Sequence, residues 1–104
     1  MRFMILTGRL TGDVEFREFE KKDGQDENVK RLTFSVANND SGKDNPEFYD
    51  VVCWAKLAIW GSQYLKKGTR VLISGWPRIE TDEKEDGSKR RRFRLVADRI
   101  ELIG

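Results

Sequence analysis

Histidine is absent from the 104 residues, cysteine occurs once, at Cys53, and no run of 18 apolar residues exists. Each absence excludes something. Without histidine there is no Ser-His or Cys-His nucleophile pair, no usual general base and no histidine-ligated metal. A single cysteine permits neither an internal disulfide nor a cysteine-built zinc site, and fits a reducing compartment. The missing apolar run removes a membrane-spanning helix. Met1-Arg2-Phe3-Met4-Ile5-Leu6-Thr7-Gly8 has only a few apolar residues before Arg9 and no small-residue cleavage site, so no secretory signal is expected. Catalytic residues, a metal site and a cofactor are likewise not expected.

What remains is a small, heavily charged module. The length suits one domain spanning 1–104, with 38% apolar residues for a modest core and 37% charged residues for its surface. The net charge of +2 hides an asymmetry: residues 1–52 hold 8 basic and 11 acidic side chains, residues 53–104 hold 12 and 7. Basic charge is densest in Lys89-Arg90-Arg91-Arg92-Phe93-Arg94, next to an aromatic. That pattern suits a polyanion partner or a solvated strand face.

Four stretches have strand character, 3–10, 29–37, 48–54 and 71–79, and a fifth runs from about 90 to 97 with Ile100-Glu101-Leu102 behind it. Leu32, Phe34 and Val36 alternate with Thr33 and Ser35, the period of a strand with one buried face. Polar segments rich in Gly, Asn and Asp, at 21–28, 38–46 and 81–88, read as hairpin loops. The exception to the strand rhythm is 55–67. There Leu57, Gly61, Tyr64 and Leu65 fall at helical spacing, Lys66 and Lys67 suit the negative end of a helix dipole, and Gly68 supplies a stop. Ile59 and Trp60 widen this helix's apolar face, leaving one of them exposed or against another subunit. Three strands, one short α-helix, then two strands is the order of an all-β, five-stranded Greek-key OB-fold barrel with its helix between strands 3 and 4.

The motifs Ile5-Leu6-Thr7-Gly8-Arg9-Leu10-Thr11-Gly12-Asp13 with Glu15 and Arg17, Phe48-Tyr49-Asp50-Val51-Val52-Cys53-Trp54-Ala55-Lys56-Leu57-Ala58, Tyr64-Leu65-Lys66-Lys67-Gly68-Thr69-Arg70-Val71, Gly75 and Val96-Ala97-Asp98-Arg99-Ile100 stand in one order across most of the chain. Together they resemble the bacterial single-stranded DNA-binding protein family. The resemblance implies a homo-oligomer, tetramer first and dimer second, that binds single-stranded DNA without sequence preference during replication, recombination and repair, in the cytoplasm at the nucleoid or replication sites. It implies Trp54 and Phe48 as aromatic contacts and Lys56, Lys67 and Arg78 as basic ones. Two further tryptophan positions of the family are Asp40 and Asp82 here. Trp76, beside Pro77, departs from the common pattern: it is a substitute stacking platform or an interface residue, and the proline there suggests a bulge or an edge. Family members usually continue into a disordered segment with an acidic, hydrophobic recruiting tip. Here the sequence stops at Leu102-Ile103-Gly104, so recruitment through such a tip is not expected.

These residue types suit a single strand, which offers phosphates to cations and unstacked base faces to flat rings. Phe48, Val52 and Trp54 share one parity, and with Val51 and Cys53 inside, Phe48 and Trp54 point to an open face. Arg90, Arg92 and Arg94 alternate with Phe93 and Leu95, so three guanidiniums line one face while Phe93 and Leu95 turn inward. Arginine both pairs with phosphate and stacks on bases. Cys53 reads as a small buried apolar residue. Two rivals stand beside this reading. One is a metal-dependent nuclease using Asp82, Glu83, Glu85 and Asp86, which a solvated loop explains more simply. The other is a replication-restart or interaction adaptor of the same fold with weak DNA binding.

Overall fold

The computed structural model describes residues 3–40, 42 and 44–104; Met1, Arg2, Ser41 and Lys43, two of them in the 38–46 loop, lie outside the described residues. The elements in chain order are β1 (Met4–Leu10), β2 (Glu15–Phe19), β3 (Val29–Asn38), β4 (Glu47–Trp54), α1 (Ala55–Tyr64), β5 (Arg70–Glu83) and β6 (Lys89–Leu102). β3 shows why the chain folds this way. Its alternating Leu32, Phe34 and Val36 are all buried, and they meet Leu6, Leu10, Val51, Cys53, Ile73 and Leu95 in one core. At roughly 1.5–3 kcal/mol for each large apolar side chain removed from water, this inner row holds the sheet closed.

The strands pair in the cyclic order β1, β3, β4, β6, β5 and back to β1, with β4 and β6 parallel and the other neighbours antiparallel. This is the five-stranded Greek-key order of an OB-fold barrel, with the helix between its third and fourth strands. β2 is an addition to the expected list, and its pairing explains it. Leu10 pairs with Val36, the Thr11 N–H donates to the Ser35 carbonyl at 3.0 Å, and pairing resumes at Glu15 and Thr33. From Thr11 to Glu15 the first strand advances four residues while β3 advances two. β1 and β2 are therefore halves of one long strand, bent by a two-residue excess around Gly12.

Three boundaries differ from the expected ones. The helix stops at Tyr64, because Leu65 turns extended and is buried in the core, leaving Lys66 and Lys67 in a following turn rather than at a helix end. The inward side of α1 is Ala58 and Gly61, whereas Tyr64 is exposed and rests against Trp60, ring centres 5.6 Å apart. The third hairpin loop contracts from 81–88 to 84–88, since Thr81, Asp82 and Glu83 stay in register with Arg91, Arg90 and Lys89.

That last pairing makes β5 and β6 a two-stranded ribbon that runs on past the barrel: β5 leaves β1 after Gly75, and β6 meets β4 only at Leu95 and Val96. A ribbon has no interior. Phe93 accordingly does not turn inward with Leu95 but stays exposed, edge-on to Tyr49 at 6.2 Å. The register shifts between Ser74 and Gly75, immediately before Trp76 and Pro77, and Pro77 lies where the far edge of β5 is free of β1.

Candidate nucleic-acid interface

Cross-strand partners share a face, so the registers assemble the outer surface of the barrel directly. Along β4 that face carries Phe48, Asp50, Val52 and Trp54. β3 sets Ala37, Ser35, Thr33 and Arg31 opposite them, and β2 adds Arg17 opposite Arg31. On the other flank Val52 pairs with Val96, and β6 continues the face through Arg94, Arg92 and Arg90, with Trp76, Arg78, Glu80 and Asp82 across from them on β5. Seven of the nine residues expected at the site thus lie on one continuous surface: Phe48, Trp54, Trp76, Arg78, Arg90, Arg92 and Arg94.

The three aromatics on it are open to solvent, Phe48 at 66%, Trp54 at 39% and Trp76 at 43%. Val52, expected on the open face, is on that side but buried, as is its neighbour Val96. Phe48 and Trp54 are six residues apart on one strand, or roughly 20 Å at the rise of an extended chain. Lys56 lies beside Trp54 at the start of α1; both line an apolar groove of about 590 Å³ with Val29, Lys30, Leu57 and Ile59. Lys67 is set apart. It belongs to the turn after α1, where the Gly68 N–H donates to the Leu10 carbonyl at 2.8 Å, and it lines neither groove of this face.

Between the ribbon and β2–β3 runs a polar groove of about 430 Å³, lined by Arg17, Arg31, Arg92 and Arg94 together with Glu15 and Asp50. Arg17 joins the face because β2 extends it, whereas Arg31 is on it as the partner of Trp54 and lies 5.0 Å over the ring of Phe19. Neither arginine is assigned to the site by sequence reasoning; Arg17 stands in a motif quoted above, and Arg31 has the parity opposite to Leu32, Phe34 and Val36, which is the available signal.

Carboxylates accompany most of these cations. Asp50 Oδ2 lies 3.6 Å from Arg92 Nη2, and Glu80 lies 3.7 Å from Arg78 Nε and 3.9 Å from Arg94 Nε. Arg17 donates to Glu15. The Ser35 hydroxyl donates to Asp50 Oδ1 at 2.7 Å, holding the carboxylate in the groove. Tyr49, between Phe48 and Asp50 in sequence, donates to Glu47 at 2.6 Å, and this bond, with burial and the carboxylate charge, raises its pKa. At the ribbon tip Asp86 accepts from the Ser88 hydroxyl and N–H, which lowers its pKa. Asp82 and Glu83 are strand residues and Glu85 and Asp86 turn residues, and among the described residues no three acidic, Cys or His side chains group to hold a metal ion. Asp40 accepts from Asn38 at 3.1 Å, and Asp82 faces Arg90.

The sequence that builds this face has relatives. Residues 1–103 match the Single-strand binding protein family. The chain belongs to that family. It is 32% identical to the single-stranded DNA-binding protein of Borreliella burgdorferi over 96% of this chain and 68% of that protein. It is 31% identical to the protein of the same name from Clostridium tetani, covering 99% and 70%, and 32% identical to single-stranded DNA-binding protein 1 of Chlorobaculum tepidum, covering 97% and 64%. The chain thus spans about two thirds of the length of these relatives.

Proposed function

We propose that this chain is a single module, 1–104, that binds single-stranded DNA without sequence preference and protects it during replication, recombination and repair. One observation carries the reading: Phe48, Trp54 and Trp76 stand exposed on the same barrel face as Arg31, Arg78, Arg90, Arg92 and Arg94. Rings offer stacking surfaces that any base satisfies, and the arginines between them meet phosphates, so affinity needs no sequence. Family membership and the names of the relatives support the same substrate. Binding and shielding, without bond cleavage, is the whole of the proposed activity, and its place is the cytoplasm at the nucleoid or replication sites.

Association into a homo-oligomer, tetramer before dimer, belongs to this reading. β1 pairs with β3 only at Arg9 and Leu10, the Thr7 carbonyl accepts from the Asn38 side chain at 2.7 Å, and from Met4 to Leu6 this edge has no strand partner among the described residues, with Phe3 and Ile5 exposed beside it. A second copy of the chain would cover that edge. A monomer in light scattering at micromolar concentration would refute this part.

Titrating the protein with oligo(dT) and with a duplex of equal length tests the function. The expected result is much tighter binding of the single strand, weakening with salt at a log-log slope near −0.7 per phosphate neutralised. Equal affinity for the two nucleic acids would overturn the reading.

A further inference from the structure

Most cations of the binding face have a carboxylate beside them. Arg92 is matched by Asp50, Arg78 and Arg94 share Glu80, and Arg17 is held by Glu15. A face meant only to maximise attraction for a polyanion has no use for carboxylates in its centre, where each repels the phosphates its arginine would bind. Their placement is also specific. Asp50 sits on the face between Phe48 and Val52, pinned by the Ser35 hydroxyl at 2.7 Å, and Glu80 lies on the strand opposite Arg92, between two other arginines.

The geometry is that of exchangeable partners. At 3.6, 3.7 and 3.9 Å these pairs are longer than hydrogen bonds, so each guanidinium is attracted but not saturated. The Arg94 Nε is buried and, among the described residues, is the side-chain nitrogen that lacks a hydrogen-bond partner although Glu80 is its neighbour. The Asp50 and Arg92 side chains are both 44% exposed, so little stability rests on their contact. A phosphate oxygen arriving at hydrogen-bond distance has more to offer the arginine than the carboxylate does.

We propose that Asp50 and Glu80 are built-in competitors of the DNA phosphates. They hold Arg92, Arg78 and Arg94 in position while the face is empty, are displaced when a single strand binds, and recapture the arginines as it leaves. The face therefore binds less tightly than its cations alone would dictate and releases its strand more readily. This rests on the single-strand-binding reading above.

The test is a set of Kd measurements with labelled oligo(dT) on the full chain across a range of NaCl concentrations. Asp50→Asn keeps an oxygen to accept from Ser35 and Glu80→Gln keeps the side-chain shape, so both variants should melt like the parent. Each is expected to bind about three- to tenfold more tightly at low salt, the scale of one nearby charge at a solvent-exposed surface. The salt slope should change little, because the same arginines meet phosphates in the bound state of parent and variants alike. Asp23→Asn, which removes the same charge from the β2–β3 hairpin loop, should change affinity less than about twofold at that range. In an Arg92→Ala background the gain from Asp50→Asn should vanish, whereas an undiminished gain would reduce Asp50 to general repulsion and overturn the proposal. Tight binding by the parent with unchanged affinity in both variants would overturn the proposal alone. No binding of oligo(dT) by the parent would remove the function on which it rests.

Discussion

Arg31 stands directly across the β3–β4 ladder from Trp54, with its guanidinium 5.0 Å from the ring centre of Phe19. A planar cation, leaning toward Phe19, and an indole thus share the face where the arginine-lined groove gives way to the apolar one at the foot of α1. Trp54→Ala should cost about 1–3 kcal/mol of single-strand binding, the scale of one stacked base, and leave the salt slope unchanged. Arg31→Ala should lower that slope by about 0.7. Anisotropy of labelled oligo(dT) over a salt series separates the two, and a Trp54→Ala protein that melts early while keeping its affinity would assign the ring to the core.

Ala55 joins β4 to α1 at φ 57, in the left-handed region where a Cβ is strained. Ala55→Gly should therefore stabilise the fold by about 0.5–1 kcal/mol, relief of strain outweighing the greater freedom of glycine in the unfolded chain. Thermal melts should show the midpoint rising by a few degrees; a fall would mean the turn tolerates its side chain.

Two glycines should respond unequally to alanine. A Cβ at Gly75 would lie 1.9 Å from the Val96 carbonyl oxygen, a backbone atom at the register shift of β5 and β6. At Gly61 the obstacle is the Leu32 Cδ2 at 2.4 Å, the end of a side chain that can turn. Gly61→Ala should cost about 1–3 kcal/mol, the range for overpacking a core. Gly75→Ala should cost more than that, and comparable denaturation midpoints for the two would contradict this account.

Much of this was legible in advance, and the misses share a cause. Period-2 parity put Phe48 and Trp54 outside and Val51 and Cys53 inside, because each side of β4 is covered or open along most of its length. Parity names a side but not what lies over it. Phe93 follows Leu95 in parity and not in burial, since the barrel ends between them, and Val52 is buried on the side of Trp54. β2 gives no periodic signal because all five of its residues are exposed, and with it Arg17 and Phe19 escape assignment to the face. The segment 81–83 looked like loop because it lacks apolar residues, yet cross-strand pairing of acid with base carries the ladder through it.

Burial pushes the Cys53 thiol up from about 9 to about 12. Above pH 9 the unfolded chain loses this proton while the folded chain keeps it, so stability present below that pH is lost as pH rises toward 12. The slope approaches 1.4 kcal/mol per pH unit. Denaturant unfolding at pH of about 8 and about 10.5 should show the parent losing roughly 1–2 kcal/mol more than Cys53→Ala. Equal losses would mean the thiolate is tolerated in the barrel. At neutral pH the same burial should keep the thiol unreactive until the chain unfolds.

Beyond the Arg78 and Arg94 pair, the β5–β6 ribbon has one negative rail and one positive one. Glu80, Asp82 and Glu83 run along β5, and Arg92, Arg90 and Lys89 run opposite them along β6, roughly 5 Å away. With Arg91 beside the three basic residues the rails do not quite cancel, but beyond a Debye length of about 8 Å solvent ions screen most of the difference. Close by, a polyanion would meet attraction along β6 and repulsion along the outer part of β5. On the single-strand-binding reading, this end of the ribbon would choose the track of a strand already bound more than it draws one in from solution.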